Sequence, residues 1–319
     1  MTASHTGSQT GSQTGSHTGP AHWAAVDWGT THLRLWLLDH NHNMIRQTET
    51  EQGMVQLQST EYEATLLDLL SQDLQPKHPM DVICCGMVGS RQGWQEAPYA
   101  PCPTPPPSGE HATRVTTKDP RIEVYLLPGI KQISPPDVMR GEETQIAGFL
   151  SRNPQYDGVL CLPGTHSKWA RLRDGRLTAF TTLMTGELYH AVRFHTLPGE
   201  PARDDAPFDE GAFHQGLARA HSEDGVLHAL FEARSRHLYR GLYAEQVGSF
   251  ISGVLIGEEV RAMRATRPDL ERLLLIGAEA LRRPYTLALE TAGLEVTPLD
   301  SDAATLAGLA VIAEHHHAE

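Results

Sequence analysis

One pattern occurs twice in this chain and constrains the fold more than anything else: an apolar strand, a Gly-Thr turn, and a second strand. In the first copy the short apolar run Ala24–Trp28 meets Gly29-Thr30-Thr31. Leu33, Leu35 and Leu37 then alternate with His32, Arg34 and Trp36, the period of a half-buried strand. In the second copy the apolar strand Gly158–Leu162 runs into Pro163-Gly164-Thr165-His166-Ser167-Lys168. Another strand, the hairpin signal Asp174-Gly175 and the run Leu177–Met184 follow. As a sequence repeat the match is weak. As an architectural echo it predicts an α/β chain whose two halves each open on a hairpin.

Turns of this composition expose backbone N–H groups and hydroxyls with little side-chain bulk. Two of them facing each other would clamp a polyphosphate from both sides. Asp27, at the end of the first strand, is suited to holding Mg2+ through water, because magnesium sheds its hydration shell reluctantly. Lys168 would neutralise a phosphate. An isolated Gly-Thr turn is usually only a hairpin; two in corresponding places, one with a carboxylate, point towards phosphate chemistry.

Between and beyond these turns the pattern stays that of an α/β protein. Asn41–Asn43 reads as a turn, Met44–Thr50 as a strand and Glu61–Leu74 as a helix. Val82–Met87 and Ile122–Leu127 read as strands, the first leading into a Gly- and Pro-rich loop that runs through Pro107. Helical patterning dominates from Glu187 to about Arg264, interrupted by a loop over Leu197–Pro207. Leu273–Ile276 is a buried strand ending at Gly277-Ala278, and Ala303–Ala313 a small-residue helix.

The 319 residues suffice for two domains, and 39% hydrophobic with 20% charged residues is ordinary for a soluble globular protein. A formal net charge of −13 argues against nucleic acid or anionic membrane as a partner. No apolar run reaches the roughly 20 residues of a membrane span. A secretory signal pattern is absent, and the four cysteines (Cys84, Cys85, Cys102 and Cys161) lack C-x-x-C spacing. They read as buried, reduced thiols in strands, which makes the cytoplasm the expected compartment. The Thr-Gly-Ser repeat over residues 1–20 carries almost no apolar side chains and is expected to be disordered. His315–His317 read as a flexible tail. Despite 18 histidines, metal-ligand spacings such as H-E-x-x-H are missing.

Six segments, VDWGTTHLRLWLLD, GMVGSRQGW, PDVMRGEETQIAG, LPGTHSKWA, TTLMTGELY and LYAEQVGSFISGVLIGEE, make the stretch from Ala24 to Ala313 resemble the 2-dehydro-3-deoxygalactonokinase family of the sugar-kinase and actin-like ATPase superfamily. The resemblance implies two actin-like (ribonuclease H-like) domains with an active-site cleft between them, closing on ATP and Mg2+. It also implies transfer of the γ-phosphoryl group to the 6-hydroxyl of a sugar acid in galactonate catabolism. It carries Asp27, Gly29, Thr30 and Thr31 to the first phosphate hairpin, Gly164, Thr165, His166, Ser167 and Lys168 to the second, and Gly277 and Ala278 to the adenosine loop. The expected domains are residues 21–139 with 302–314, and residues 140–301. Two departures stand out. Pro163 takes the place where several superfamily members have an Asp, and Ala278 replaces the second of two glycines.

On the acceptor side, a carboxylate that aligns a hydroxyl and takes its proton is the main requirement. Met139-Arg140-Gly141-Glu142-Glu143-Thr144 precedes an apolar-periodic helix. Superfamily members commonly place a G-D motif here, so Glu142 is the first candidate base and Glu143 the second. Acidic residues also favour a helix's first turn for purely electrostatic reasons. In the loop Gly86-Met87-Val88-Gly89-Ser90-Arg91-Gln92-Gly93-Trp94, Arg91 is a candidate for gripping a substrate carboxylate and Trp94 for covering the sugar's apolar face. Ser90 and backbone groups would hydrogen-bond the substrate, and Arg140 is a further carboxylate candidate. The bland alternative is a loop that caps a strand, with Trp94 packing beneath it. Arg234, Arg236 and Arg240 read as a solvated helix face. A kinase for another acid such as 2-dehydro-3-deoxygluconate and a non-catalytic ATP- or sugar-binding regulator are the competing functions. Homo-oligomerisation stays open.

Overall fold

Four successive strands, β1 (Gln9–Thr14), β2 (Trp23–Trp28), β3 (Leu33–Leu38) and β4 (Met44–Thr50), open the chain in a computed structural model that describes residues 9–14 and 20–317. β2 and β3 form the expected antiparallel hairpin, with Asp27 opposite Arg34. β3 is nearly all buried rather than half-buried. Leu33, Leu35 and Leu37 pack into one core with Tyr62 and Leu66, while Trp36 and Leu38 pack on the other side with Leu309 and Ile312. Both faces of the sheet are therefore covered, which an alternating pattern with Trp at an "outer" position permits.

Part of the repetitive N-terminal segment corrects the expectation of disorder. β1 pairs antiparallel with β4 at the sheet edge. Strand addition is driven by main-chain hydrogen bonds and so does not need apolar side chains. The rest of that expected tail, residues 1–8 and 15–19, lies outside the described residues.

After α1 (Tyr62–Leu70), β5 (Met80–Gly86) lies parallel to β2. β6 (Tyr99–Pro101), β7 (Thr113–Val115), β8 (Ile122–Leu126), β9 (Gly129–Gln132), β10 (Asp137–Met139) and α2 (Glu142–Arg152) follow. The seven-stranded sheet has the order β1-β4-β3-β2-β5-β8-β7, beside a small sheet β10-β9-β6. A second sheet of order β13-β12-β11-β14-β15 contains β11 (Gly158–Leu162), β12 (Ser167–Arg173), β13 (Arg176–Leu183), β14 (Arg272–Gly277) and β15 (Glu295–Asp300). Its helices are α3 (Thr185–His195), α4 (Glu210–Ala220), α5 (Gly225–Tyr239), α6 (Ala244–Thr266) and α7 (Glu279–Thr291). The chain closes with α8 (Ser301–His317), whose backbone stays helical through the three histidines expected to be flexible.

Two units result, a mixed α/β arrangement consistent with the actin-like ATPase superfamily. One holds the chain up to Tyr156, Arg173–Ala179 and the residues from Asp302 onward; the other holds Asp157–Leu172 and Phe180–Ser301. Residues 140–156 thus group with the first unit, not the second as the sequence suggests. The reason is a backbone-to-backbone contact between α2 and α8. A Cβ on Gly148 would lie 2.0 Å from the Ala304 carbonyl oxygen, and one on Gly308 2.0 Å from that of Thr144. Cys84, Cys85 and Cys161 are buried free thiols, whereas Cys102, past the end of β6, is only partly buried. Among the described residues no helix is long and apolar enough to cross a membrane.

Candidate active site

The first Gly-Thr turn is closed by Gly29 N–H donating to His32 O at 2.9 Å. A following segment straps it: Gly53, Met54 and Val55 N–H groups donate to Thr31, Gly29 and Thr30 carbonyls at 3.1, 3.0 and 3.0 Å. Only glycine fits the strap, since a Cβ on Gly53 would lie 2.3 Å from the Thr31 carbonyl carbon. The Thr30 and Thr31 residues remain exposed.

Asp27 stands at the base of this turn with a fifth of its side chain exposed. Its Oδ2 is 3.3 Å from Arg34 Nη1, and Cys85 Sγ donates to Oδ1 at 3.8 Å. Gly86, at φ +87°, ends the neighbouring strand. A Cβ there would sit 2.7 Å from Trp28 O and 3.1 Å from Asp27 Oδ1, so the absence of a side chain keeps the carboxylate uncrowded. Burial, together with the Asp302 and Glu142 carboxylates, outweighs Arg34 and pushes Asp27 up to about 6. Arg34 is shared, reaching Asp302 at 3.1 Å and Glu49 at 3.4 Å as well.

Glu142 and Glu143 open α2 after Gly141, whose Cβ position would lie 3.5 Å from Gly86 Cα. The two glutamates differ sharply. Glu143 is fully buried, and both its oxygens accept from Gly141 N–H at 2.8 Å. Burial and the Glu142 charge push it up to about 8, against the opposing pull of the Gly141 N–H. Glu142 is half-buried, with Oε2 accepting from Arg140 N–H at 3.1 Å. Both carboxylates therefore also do what acidic residues do at any helix start, accepting from N–H groups beside it.

The loop after Gly86 is packed more than it is presented. Met87–Gly89 makes one 3-10 turn. Met87 is half-buried, and Ser90 is buried with Oγ donating to Met54 Sδ at 3.2 Å. Trp94 stacks on Tyr62 (5.9 Å, 10°) and meets Trp28 edge-on, against the first unit's core. Arg91 projects outward, 86% exposed, 3.8 Å from Glu96. Arg140 is buried: Nη2 donates to Ala97 O at 2.8 Å, Nε to the Tyr99 hydroxyl at 3.3 Å, and the guanidinium lies 4.2 Å from the Tyr99 ring centre. Its donors are engaged with the protein itself. Of the expected solvated run on and after α5, Arg240 is exposed, whereas Arg234 and Arg236 are half-buried, pairing with Glu200 and Glu232, and Arg236 lies 5.3 Å from the Phe250 ring centre.

In the second unit the turn residues divide by direction. Gly164 is half-buried, and Thr165 and His166 are exposed, the imidazole Nε2 lying 2.7 Å from Glu187 Oε2. Ser167 and Lys168 are buried, and Ser167 Oγ donates to Glu259 Oε1 at 2.6 Å. A cavity of about 340 Å3 opens beside the turn, lined by Gly164, Thr185, Gly186, Ser249, Ser252 and Tyr285 among others. Gly277 and Ala278 join β14 to α7. Gly277 is buried, its Cβ position 3.1 Å from the Pro163 ring, and from this segment Ala280 and Leu281, in the first turn of α7, line the cavity.

Asp27, Gly86, Gly141 and the two glutamates are thus drawn together in one unit, and the Gly164 turn meets a cavity in the other. Sequence reasoning missed Arg34, Asp302, Gly53 and Glu259. The hairpin register that sets Arg34 opposite Asp27 was available as a signal; the other three depend on tertiary packing. Among the described residues no group of three or more His, Cys, Asp or Glu side chains is arranged to hold a metal ion.

The family model for 2-keto-3-deoxy-galactonokinase matches residues 27–312. A Rhizobium meliloti (strain 1021) protein assigned as a 2-dehydro-3-deoxygalactonokinase is 36% identical over 298 residues, covering 92% of this chain and 96% of the relative. The 2-dehydro-3-deoxygalactonokinase of Escherichia coli (strain K12) is 35% identical over 298 residues, covering 92% and 98%. A crystal structure from Sinorhizobium meliloti assigned to the same activity superposes with a TM-score of 0.83 at 34% identity, over 92% of this chain and 96% of that one. With the match spanning both turns and the α2 carboxylates, the chain belongs to the 2-keto-3-deoxy-galactonokinase family of sugar-acid kinases.

Proposed function

We propose that the protein transfers the γ-phosphoryl group of ATP to the 6-hydroxyl of 2-dehydro-3-deoxy-D-galactonate, in galactonate catabolism in the cytoplasm. The observation that carries this is the carboxylate set Asp27, Glu142 and Glu143 gathered beside the first Gly-Thr turn, in a chain whose second turn borders a cavity. The relatives' activity supplies the substrate. The cavity volume of about 340 Å3 falls in the range of small-molecule sites, and adenosine is the proposed occupant. Gly164, Thr165 and His166 would approach the phosphates from the exposed side of the turn, with Lys168 adding charge and Ser167 holding the backbone. Gly277 and Ala278 set the start of α7 against that cavity.

Glu142 is the proposed base. Its carboxylate is the accessible one of the pair and takes the proton from the substrate 6-hydroxyl as that oxygen bonds to the γ-phosphorus. The bond between the γ-phosphorus and the β,γ-bridging oxygen breaks, and ADP leaves. Glu143, held by Gly141, fixes the helix start from which Glu142 projects. The charge balance suits Mg2+: Asp27, Glu142 and Asp302 crowd one another, and Arg34 offsets them only in part. Asp27, at the base of the first Gly-Thr turn, would be the protein contact of a magnesium ion held largely by water and phosphate. When bound, the ion supplies charge neutralisation at the phosphates.

For the acceptor, Gly86, Met87 and Arg91 remain the proposed substrate contacts, Arg91 offering an exposed guanidinium. Ser90, Trp94 and Arg140 support the loop through the contacts described above. The test is the fate of the 6-hydroxyl. Incubation with ATP, Mg2+ and the keto-deoxy acid should yield a 6-phosphate seen by 31P NMR, and the 6-deoxy analogue should give no phosphorylated product. Phosphorylation of the 6-deoxy analogue would refute the assignment of the acceptor oxygen.

A further inference from the structure

Glu259 is a carboxylate in the middle of α6, 2% exposed, and four neutral donors converge on it. Ser167 Oγ and Trp169 Nε1, both on β12, donate to Oε1 at 2.6 and 2.8 Å. Thr185 Oγ1, at the start of α3, and Tyr285 OH on α7 donate to Oε2, the latter at 2.9 Å. A carboxylate accepts about four hydrogen bonds, so this one is saturated. Burying such a group is costly, and for stability alone an apolar side chain of the same size often serves as well or better. What the carboxylate adds is geometry.

Each donor belongs to a segment that borders the second Gly-Thr turn or the cavity beside it. Ser167 ends the turn itself. Thr185 precedes Gly186, where a Cβ would lie 2.3 Å from the Gly164 carbonyl oxygen, and Glu187 N–H donates to Thr165 O at 2.8 Å. Thr185 and Tyr285 line the cavity. The influence of the carboxylate reaches its neighbours: burial first, and then Glu259, pushes the Cys161 thiol and the Tyr285 hydroxyl upward.

We propose that Glu259 is a positioning residue that fixes the Gly164–Lys168 turn in register with the adjoining cavity, so that the turn can receive the phosphates of a nucleotide whose nucleoside occupies the cavity. This rests on the kinase reading. It assigns the residue an effect on phosphate binding while it touches no phosphate.

The experiment is calorimetric titration of the full chain with Mg-ATP and, separately, with adenosine. Glu259→Met keeps the volume and removes all four ties; it should weaken Mg-ATP binding about tenfold or more, a loss of the size of one coupled contact, and leave adenosine within about threefold. Glu259→Gln should restore most of the affinity: its amide oxygen can serve Ser167 and Trp169, while its NH2 donates to the hydroxyls of Thr185 and Tyr285, which can turn to accept. Equal losses for Mg-ATP and adenosine, or no loss for either, would overturn the proposal. If Glu259→Met does not fold, Ser167→Ala and Trp169→Phe, each removing one tie at a residue outside the cavity lining, decide: unchanged Mg-ATP affinity in both overturns it, and a selective loss supports it. A wild-type chain that does not bind Mg-ATP would overturn the kinase reading and this inference together, whereas wild-type binding with unselective variants would sink the inference alone.

Discussion

Glu143→Gln should stabilise the nucleotide-free protein at pH 8 and do little at pH 5. Glu143 is fully buried, and its carboxyl rises from 4.5 to about 8, first through burial and then through Glu142. The folded state therefore holds this proton more tightly than the unfolded chain does. The linked stability is fully present below about pH 4.5 and is lost as pH rises through about 8. At about 1.4 kcal/mol for each tenfold in proton affinity, the loss is capped at about 5 kcal/mol. Relaxation and water entry around the ionised group reduce it, and we expect about 2 kcal/mol at pH 8. Glutamine cannot ionise, and its carbonyl still accepts from Gly141 N–H, one of the two bonds the carboxylate makes. The variant should thus melt about 3 °C above the wild type at pH 8, and within about 1 °C of it at pH 5. Differential scanning calorimetry across pH 5–8.5 with a chelator present reads this directly. A variant that melts below the wild type at pH 8, or a difference that does not change with pH, would refute the reasoning.

Three further outcomes follow from the site. Glu142→Gln should lower kcat by about two orders of magnitude, the usual cost of losing a positioned base, with little change in KM for the sugar acid; near-normal turnover would remove Glu142 from the base role. Asp27 is pushed up to about 6, so kcat/KM for Mg-ATP should fall as pH drops through about 6, and Asp27→Asn should abolish that limb of the profile along with most of the activity. Gly53→Ala places a Cβ 2.3 Å from the Thr31 carbonyl carbon, and should raise KM for ATP and cost about 2 kcal/mol or more of stability, seen as a lower melting temperature.

Much of this molecule is legible before its coordinates are seen, for identifiable reasons. The β2–β3 hairpin, β11, β12 and the long helix α6 carry apolar runs or periodic patterns over enough residues to declare an element. Strands of three or four residues such as β7, β9 and β10 do not, because so few positions fit any period. The placement of residues 140–156 turned on Gly148 and Gly308, two glycines that mark a helix crossing only once both helices are located. At the site, sequence found the residue types but not their directions. Arg140 and Trp94 have the chemistry to bind a sugar acid, yet backbone carbonyls claim the one and Tyr62 the other. Glu258 and Glu259 are adjacent and chemically alike. The first pairs with Arg261 at the surface, and the second is turned into the core by 100° of helix rotation.

The most direct test of the central claim is an ADP-release assay with Mg-ATP and a panel of aldonic acids, 2-keto-3-deoxy acids and ordinary hexoses. The account predicts turnover on 2-dehydro-3-deoxy-D-galactonate well above every other substrate, the 2-dehydro-3-deoxygluconate epimer included. Preferred turnover on another acid would contradict the substrate assignment while leaving the phosphoryl-transfer chemistry in place. Binding of ATP without ADP release on any sugar would contradict the kinase claim itself.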